Sequence, residues 1–263
     1  MIQFIASDLD GTLLQNDAQE LNPEIFDLIL KLKEKGIHFI AASGRQYANM
    51  RRLFAPIQNE ISYVAENGSL CVHNGKVVSR GLIDRELGLR IFETAKGYPG
   101  IYHNTLSTEN YCYTDSTDPA FIHHISKVIG YDTKVVKDFH EVEEPFLKIA
   151  LCDFTGNEAL TKYLAERFAS EIKVVTSGNL WTDFIAPNAN KGSALLNVLD
   201  HLGLKPENGI AFGDQYNDVE MLKLVGTSYA MANAAPGIEN YADYVTDSVE
   251  KVLRKLVSDF DSE

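Results

Sequence analysis

The sequence of 263 residues is poor in the features that mark secreted and membrane-spanning proteins. Its three cysteines, Cys71, Cys112 and Cys152, are widely spaced and odd in number, which argues against a disulfide framework or a zinc knuckle. No segment reaches the roughly 20 apolar residues that span a bilayer. The first apolar run has no basic flank and is interrupted by Asp8. We therefore expect a cytoplasmic protein with no membrane partner.

Basic side chains are also scarce relative to acidic ones. Lysine and arginine number 24 against 37 aspartates and glutamates, which gives a net charge of −13. Binding to nucleic acid or anionic lipid requires a basic face, so we expect neither as a partner. The apolar fraction of 45% is ample for a packed core, in one large domain or two of modest size. We expect a monomer or a small homo-oligomer.

The most informative segment that is present is DLDGT at residues 8–12, which closes the apolar run IQFIAS. Asp8 and Asp10 lie two residues apart at the end of a predicted strand, and two carboxylates this close repel each other unless a cation or a proton lies between them. The pattern favours a divalent-metal site in which one carboxylate can attack an electrophile. An ordinary strand and polar turn is the alternative for this segment alone.

The segments that follow alternate between helix and strand. A helix is predicted from Pro23 to Gly36, a buried strand over 37–43, a second helix up to Pro56, and a strand and turn over 62–69. This alternation predicts a parallel sheet covered on both faces. In such sheets ligands bind beyond the carboxyl ends of the strands.

The same pattern returns near the end of the chain. Lys191 opens a periodic helix that stops at Gly203, and the strand GIAFG at 209–213 leads into Asp214. Asn217 and Asp218 follow where the next helix begins, so they can converge with Asp214. SYAMANA and DYVTDS are predicted to be short edge strands, before a last helix.

Residues 82–186 have a different texture. Helical patterns at 85–96, 118–130 and 156–169 alternate with strand candidates at 101–113, 146–154 and 172–186. We predict an α+β module of residues 82–186 inserted into a parallel-sheet domain made of residues 1–81 and 187–263.

Four separated segments require one explanation: DLDGT at 8–12, ASGR at 42–45, NKGSAL at 190–195 and GDQYND at 213–218. In this order the set resembles the haloacid dehalogenase-like (HAD) phosphohydrolases. ENGS at 66–69 and AMANAAPGIENYADYVT at 230–246 resemble the Cof-type, IIB-capped branch of that superfamily. The resemblance implies an α/β fold, with a doubly wound parallel-sheet core and a smaller inserted α+β cap.

The resemblance also implies roles for individual residues. Asp8 is expected to attack the phosphorus of a phosphomonoester and form an aspartyl phosphate. Asp10 is expected to protonate the departing alcohol and then to activate the hydrolytic water. Its protonation suits a carboxyl held beside another carboxylate.

Magnesium is the expected cofactor because it prefers hard oxygen ligands. The resemblance assigns it to the Asp8 carboxylate, the Asp10 backbone carbonyl and Asp214. Asn217 or Asp218 is expected to hold those ligands or their waters.

Ser43 and Lys191 are expected to hold the phosphate, with Lys191 also steadying Asp8. Gly11, Gly44, Arg45 and Asn67 are expected to line the phosphate and substrate pocket. For Arg45 two interpretations stay open, since its guanidinium can contact substrate or pair with a nearby acid.

The predicted partner is a small phosphorylated metabolite, with a sugar phosphate favoured. The cap is expected to recognise the leaving group, through candidates such as Tyr102, His103, Asn104, Asn179 and Trp181. A phosphosugar mutase of the same superfamily would use the same two aspartates. A non-catalytic phospho-regulator is a second alternative, against which Asp10 and the large insertion count.

Overall fold

The computed structural model describes residues 2–16, 18–177 and 179–261. In chain order its strands are β1 (Phe4–Ser7), β2 (His38–Ala42), β3 (Ser62–Ala65), β4 (Leu70–His73), β5 (Lys76–Arg80), β6 (His103–Ser107), β7 (Cys112–Thr114), β8 (Thr133–Val135), β9 (Lys148–Cys152), β10 (Lys173–Ser177), β11 (Trp181–Ile185), β12 (Gly209–Gly213), β13 (Thr227–Met231) and β14 (Tyr244–Thr246). Its α-helices are α1 (Glu24–Glu34), α2 (Tyr47–Leu53), α3 (Arg85–Ala95), α4 (Pro119–His123), α5 (Glu158–Phe168), α6 (Lys191–Leu202), α7 (Val219–Leu224) and α8 (Val249–Asp261). Within the described ranges, no helix combines the length and apolar character needed to cross a membrane.

The chain divides into two compact units, one of residues 1–79 and 190–263 and the other of residues 80–189. The first contains a sheet in the order β14-β13-β12-β1-β2-β3-β4-β5. Its strands from β14 to β3 are parallel, and β4 runs antiparallel to β3. Helices α1 and α8 pack together, as do α6 and α7. The α/β fold class predicted from the sequence is confirmed.

Asparagine side chains cap the starts of two helices of this unit, and glycines with positive φ follow their ends. The side chain of Asn22 accepts a hydrogen bond from the backbone N–H of Glu24 (3.1 Å), and that of Asn190 accepts one from Ser193 (2.7 Å). Gly36 and Gly203, with φ of +83° and +69°, follow the ends of α1 and α6. Lys191 is thereby fixed as the first residue of α6.

Some predicted strands are wrong in detail. SYAMANA was expected to be an edge strand, but β13 lies between β12 and β14. The β4–β5 hairpin was missed, although Asn74 and Gly75 have the positive φ of a tight turn. The candidates 101–113 and 172–186 each contain two strands, and residue 178 of the second lies outside the described residues.

The second unit contains a sheet in the order β10-β11-β9-β6-β7-β8. Ile149 and Leu151 of β9 join one buried cluster with Ile91 of α3 and Leu160 of α5. Side chains alternate between the two faces of a strand, so Lys148 and Ala150 lie on the face opposite α3 and α5.

Candidate active site

Four neighbouring strands of the larger sheet end in the predicted motifs. The strands β12, β1, β2 and β3 lie side by side in parallel, so their carboxyl ends share one edge of the sheet. Asp214 follows β12, Asp8 follows β1, Ser43 follows β2, and Asn67 follows β3 after one residue. The structure thus brings together segments that are up to about 200 residues apart in sequence.

The centre of this edge is a buried ion-pair network. The ammonium of Lys191 donates to Asp8 Oδ1 at 2.5 Å and to Asp218 Oδ1 at 2.6 Å, and all three side chains are almost fully buried. The other Asp218 oxygen accepts the backbone N–H groups of Asp214 and Gln215, both at 3.0 Å. Asp218 therefore orients the loop that carries Asp214.

Asp214 completes a cluster of carboxylates. Ligand oxygens of Asp8, Asp214 and Asp218 all lie within 4.8 Å of one another. Thr12 donates its hydroxyl to Asp214 Oδ1 at 2.8 Å. Gly11 has a φ of +86°, and a Cβ at this position would collide with the Asp214 carboxylate. The DLDGT turn therefore packs directly against Asp214.

The pKa values of the cluster are shifted by burial and by the charges within it. Burial raises the pKa of Asp8 well above its usual range; Lys191 opposes the shift, while Asp218 and Asp214 add to it. Burial also raises the pKa of Asp214. Burial alone would lower the pKa of Lys191, but Asp218 and Asp8 more than offset this and raise it. The cluster thus contains three carboxylates and the ammonium of Lys191, which bonds to Asp8 and Asp218, and its hard oxygens fit a divalent cation such as Mg²⁺.

Asp10 has surroundings different from those expected. Its side chain is 54% exposed and is held by Arg45, whose Nη2 donates to Asp10 Oδ1 at 2.6 Å and whose Nε donates to Oδ2 at 2.9 Å. Asp10 was expected to lie beside another carboxylate, and the partner that the structure records for its carboxyl is the guanidinium of Arg45. Of the two interpretations of Arg45, the structure shows the second, in which its guanidinium pairs with a nearby acid, here Asp10. Arg45 also donates from Nη1 to Asn49 Oδ1 (3.0 Å).

Ser43, Gly44, Asn67 and Asn217 form the adjoining part of the edge. The hydroxyl of Ser43 accepts the backbone N–H of Arg45 (3.1 Å), and its carbonyl accepts that of Asn67 (3.0 Å). A Cβ on Gly44 would lie 3.0 Å from Asn67 Oδ1. Asn217 is exposed and donates from Nδ2 to Asn67 Oδ1 at 3.0 Å, whereas Asp218 is buried in the carboxylate cluster.

Comparison with known proteins identifies the family. The model of the haloacid dehalogenase-like hydrolases matches residues 5–254. The chain belongs to this family. The resemblance that the four motifs indicated, including its Cof-type branch, is confirmed.

Relatives along the whole length have names that agree with this assignment. The 5-amino-6-(5-phospho-D-ribitylamino)uracil phosphatase YbjI of Escherichia coli (strain K12) is 30% identical over 96% of this chain and 97% of its own. The HMP-PP phosphatase of Citrobacter koseri is also 30% identical, over 90% of this chain and 86% of its own. The crystal structure of TM0651 from Thermotoga maritima superposes with a TM-score of 0.84 at 26% identity, covering 97% of each chain. The chain is therefore an enzyme, a HAD-type hydrolase of phosphoric monoesters.

Two contacts of this HAD site were not predicted. Thr12 supports Asp214, as described above, and Asn233 donates from Nδ2 to the Gly11 carbonyl at 2.8 Å. Both residues lie inside segments that carry the resemblance, DLDGT and AMANAAPG, but a polar residue in a loop has many geometrically possible partners. In the second unit, His103 and Asn104 bond to Ser116 and Asp115, which are neighbours inside that unit.

Proposed function

We propose that this HAD hydrolase is a Mg²⁺-dependent phosphatase that hydrolyses small phosphomonoesters through an aspartyl phosphate on Asp8. The observation that carries the proposal is the buried Asp8–Lys191 pair inside a cluster of three carboxylates. A carboxylate in such a cluster costs free energy to keep ionised, so a purely structural role would not favour it.

In the first half-reaction, an oxygen of Asp8 bonds to phosphorus while the bond from phosphorus to the alcohol oxygen breaks. Lys191 holds the other oxygen of Asp8 and keeps the attacking group in one orientation. The Ser43 hydroxyl, the backbone of Gly44 and Lys191 stabilise the phosphoryl oxygens. The backbone N–H of Gly11, in contrast, donates to the Leu14 carbonyl at 2.9 Å. Asp10 donates the proton that the departing alcohol oxygen takes up.

In the second half-reaction, Asp10 accepts a proton from water as that water attacks phosphorus. The bond between phosphorus and Asp8 breaks, which releases inorganic phosphate and restores the carboxylate. The Arg45 guanidinium holds the Asp10 carboxyl in one orientation through two hydrogen bonds.

Mg²⁺ fits the donor set of Asp8, Asp214 and the Asp10 backbone carbonyl, with Asp218 and Asn217 orienting these ligands or their waters. When bound, it offsets the repulsion between the carboxylates and a phosphate dianion.

The proposed function is tested by measuring phosphate release from a panel of phosphorylated metabolites with purified protein. We expect turnover of small esters, with sugar phosphates among the substrates. The phosphorylated pyrimidine in the name of the Escherichia coli relative belongs in the panel, because that relative matches 96% of this chain. EDTA should abolish turnover and excess Mg²⁺ should restore it. Full activity in excess chelator would contradict the metal site.

The same measurement distinguishes the two alternatives. A phosphosugar mutase would return an isomeric sugar phosphate in place of free phosphate. A phospho-regulator would become phosphorylated once and release no further product.

We also propose that residues 82–186, within the unit of residues 80–189, form the cap that selects the leaving group. The face of its sheet opposite α3 and α5 has polar side chains that are nearly fully buried: Thr105, Ser107, Lys148 and Asp183. In the strand register, Ser107 of β6 lies opposite Lys148 of β9. Thr105 of β6 and Asp183 of β11 lie opposite Ala150 of β9 on its two sides, so polar residues surround a small side chain. Such a face suits a hydroxyl-rich group, because each hydroxyl both donates and accepts.

The cap proposal predicts a change in selectivity. In Lys148→Met and Asp183→Asn, we expect p-nitrophenyl phosphate hydrolysis to change by less than about threefold and preference among metabolites to change by about tenfold or more. Lys162→Met, on the exposed side of α5, is the matched control. Unchanged preference in both cap variants would refute the assignment.

A further inference from the structure

The turn after β3 holds a strained backbone at the edge of the candidate site. Glu66, Asn67 and Gly68 have φ values of +51°, +56° and +96° in succession. The left-handed region is unfavourable for residues with a Cβ, so two such residues in a row persist only where surrounding contacts fix them. Glu66 and Asn67 are both buried.

The contacts of this turn reach three other loops of the site. The backbone N–H groups of Glu66 and Asn67 donate to the carbonyls of Arg45 and Ser43, both at 3.0 Å. A Cβ on Gly68 would collide with the backbone carbonyl of Asn190, the residue before Lys191. The turn therefore packs on the loop after β2 and on the start of α6.

The side chain of Asn67 makes the third connection. Its Oδ1 accepts the amide of Asn217 at 3.0 Å, and it lies against Gly44, where a Cβ would be only 3.0 Å away. Asn67 is 4% exposed, so solvent does not compete for its amide. One buried side chain thus joins the loop after β2 to the loop of residues 214–218.

We propose that Asn67 is a positioning residue: its amide holds the loop of residues 214–218 against the loop of residues 43–45 and acts through Asn217 on the proposed phosphatase site. The inference rests on the proposed function for its effect on turnover. Its effect on the two loops is independent of that function. The left-handed backbone of Glu66 and Asn67 is retained because it places the Asn67 amide within hydrogen-bond distance of Asn217.

The test uses Asn67→Gly in the full chain. Glycine adopts positive φ without strain, and this gain offsets the loss of the Asn67 side chain, so we expect a melting temperature close to that of the wild type. We expect kcat to fall by about tenfold to a hundredfold, with a smaller change in KM. Asn74→Gly is the matched control because Asn74 also has a positive φ (+49°) but lies in the exposed β4–β5 turn. It should match the stability effect without loss of activity.

A double-variant cycle tests the route through Asn217. If Asn67 acts through it, Asn67→Gly combined with Asn217→Ala should lower kcat no further than the stronger single variant. Multiplying effects would overturn this route, and wild-type kcat in Asn67→Gly would overturn the positioning role.

Amide hydrogen exchange separates this proposal from the proposed function. In Asn67→Gly, exchange across residues 214–218 should be about tenfold faster than in wild type and Asn74→Gly, with α1 unchanged. Faster exchange in a protein with no phosphatase turnover would refute the function and uphold the positioning role. Unchanged exchange would refute the positioning role.

Discussion

Replacement of Asp8 by Asn is expected to abolish phosphomonoester hydrolysis while the fold is retained. An amide oxygen is a poor nucleophile, so we expect kcat to fall by at least about 10³-fold. The free energy of unfolding should change by less than about 1 kcal/mol, because Asn keeps the shape of Asp, Lys191 keeps its bond to Asp218, and the lost charge is one that burial, Asp218 and Asp214 disfavour. Phosphate release and urea denaturation measure the two effects.

The covalent step gives this variant a second readout. Wild-type protein quenched in acid during turnover should carry phosphate on the peptide that contains Asp8, and the Asn variant should not. Asp27→Asn is the matched control, because Asp27 is exposed on α1, outside the site. Retained Mg²⁺-dependent turnover in a clean preparation of Asp8→Asn would reject Asp8 as the nucleophile.

The segments around Asp8, Ser43 and Asp214 could be predicted because each follows a short apolar run at the length of a buried strand. Once these runs form one parallel sheet, their carboxyl ends must meet, so the convergence follows from periodicity and topology. The position of Lys191 was predictable for a related reason, since Asn190 and Gly203 bound α6 by local capping that is visible in sequence.

The pairing of Arg45 with Asp10 could not be predicted. Both side chains extend from loops that are 35 residues apart, and the long arginine has many rotamers and several acids within reach. The Asn67–Asn217 contact could not be predicted either. It depends on a left-handed backbone at Glu66, and glutamate is a residue type that gives no local signal for positive φ. Local patterns therefore predict where polar residues gather, whereas their pairing is decided by tertiary packing.

The β4–β5 hairpin marks a different limit. Asn74-Gly75 is a strong turn signal, but the strands beside it are four and five residues long, and β5 is only partly buried. Its alternation of apolar and polar residues is too short to distinguish an outer strand from a loop. The error leaves the site unaffected, since this hairpin lies beyond β3, at the end of the sheet.

Replacement of Lys191 by Met should damage both stability and activity. Met fills a similar volume but leaves Asp8 and Asp218 without the ammonium that bonds to both. Removing one partner of a buried ion pair typically destabilises a protein by about 3–5 kcal/mol. We expect a loss of that size in the free energy of unfolding at neutral pH, and a fall in kcat of about 10³-fold because Asp8 loses its orientation and the phosphoryl group loses a cation.

The pH dependence of this loss identifies its cause. Burial already raises the pKa of Asp8 and Lys191 opposes that shift, so without Lys191 the pKa of Asp8 rises further above its value in the unfolded chain. The folded variant then binds more protons than the unfolded one, and its stability falls as pH rises above the unfolded carboxyl pKa. Urea denaturation at pH 5 and pH 8 should therefore show that the variant's loss in free energy of unfolding, relative to wild type, is larger at pH 8.

Lys33→Met is the control, because Lys33 pairs with Glu60 and both side chains are 44% exposed. Its loss should cost no more than about 0.5 kcal/mol. A deficit that is equal at both pH values would mean that Lys191 stabilises the fold by packing alone.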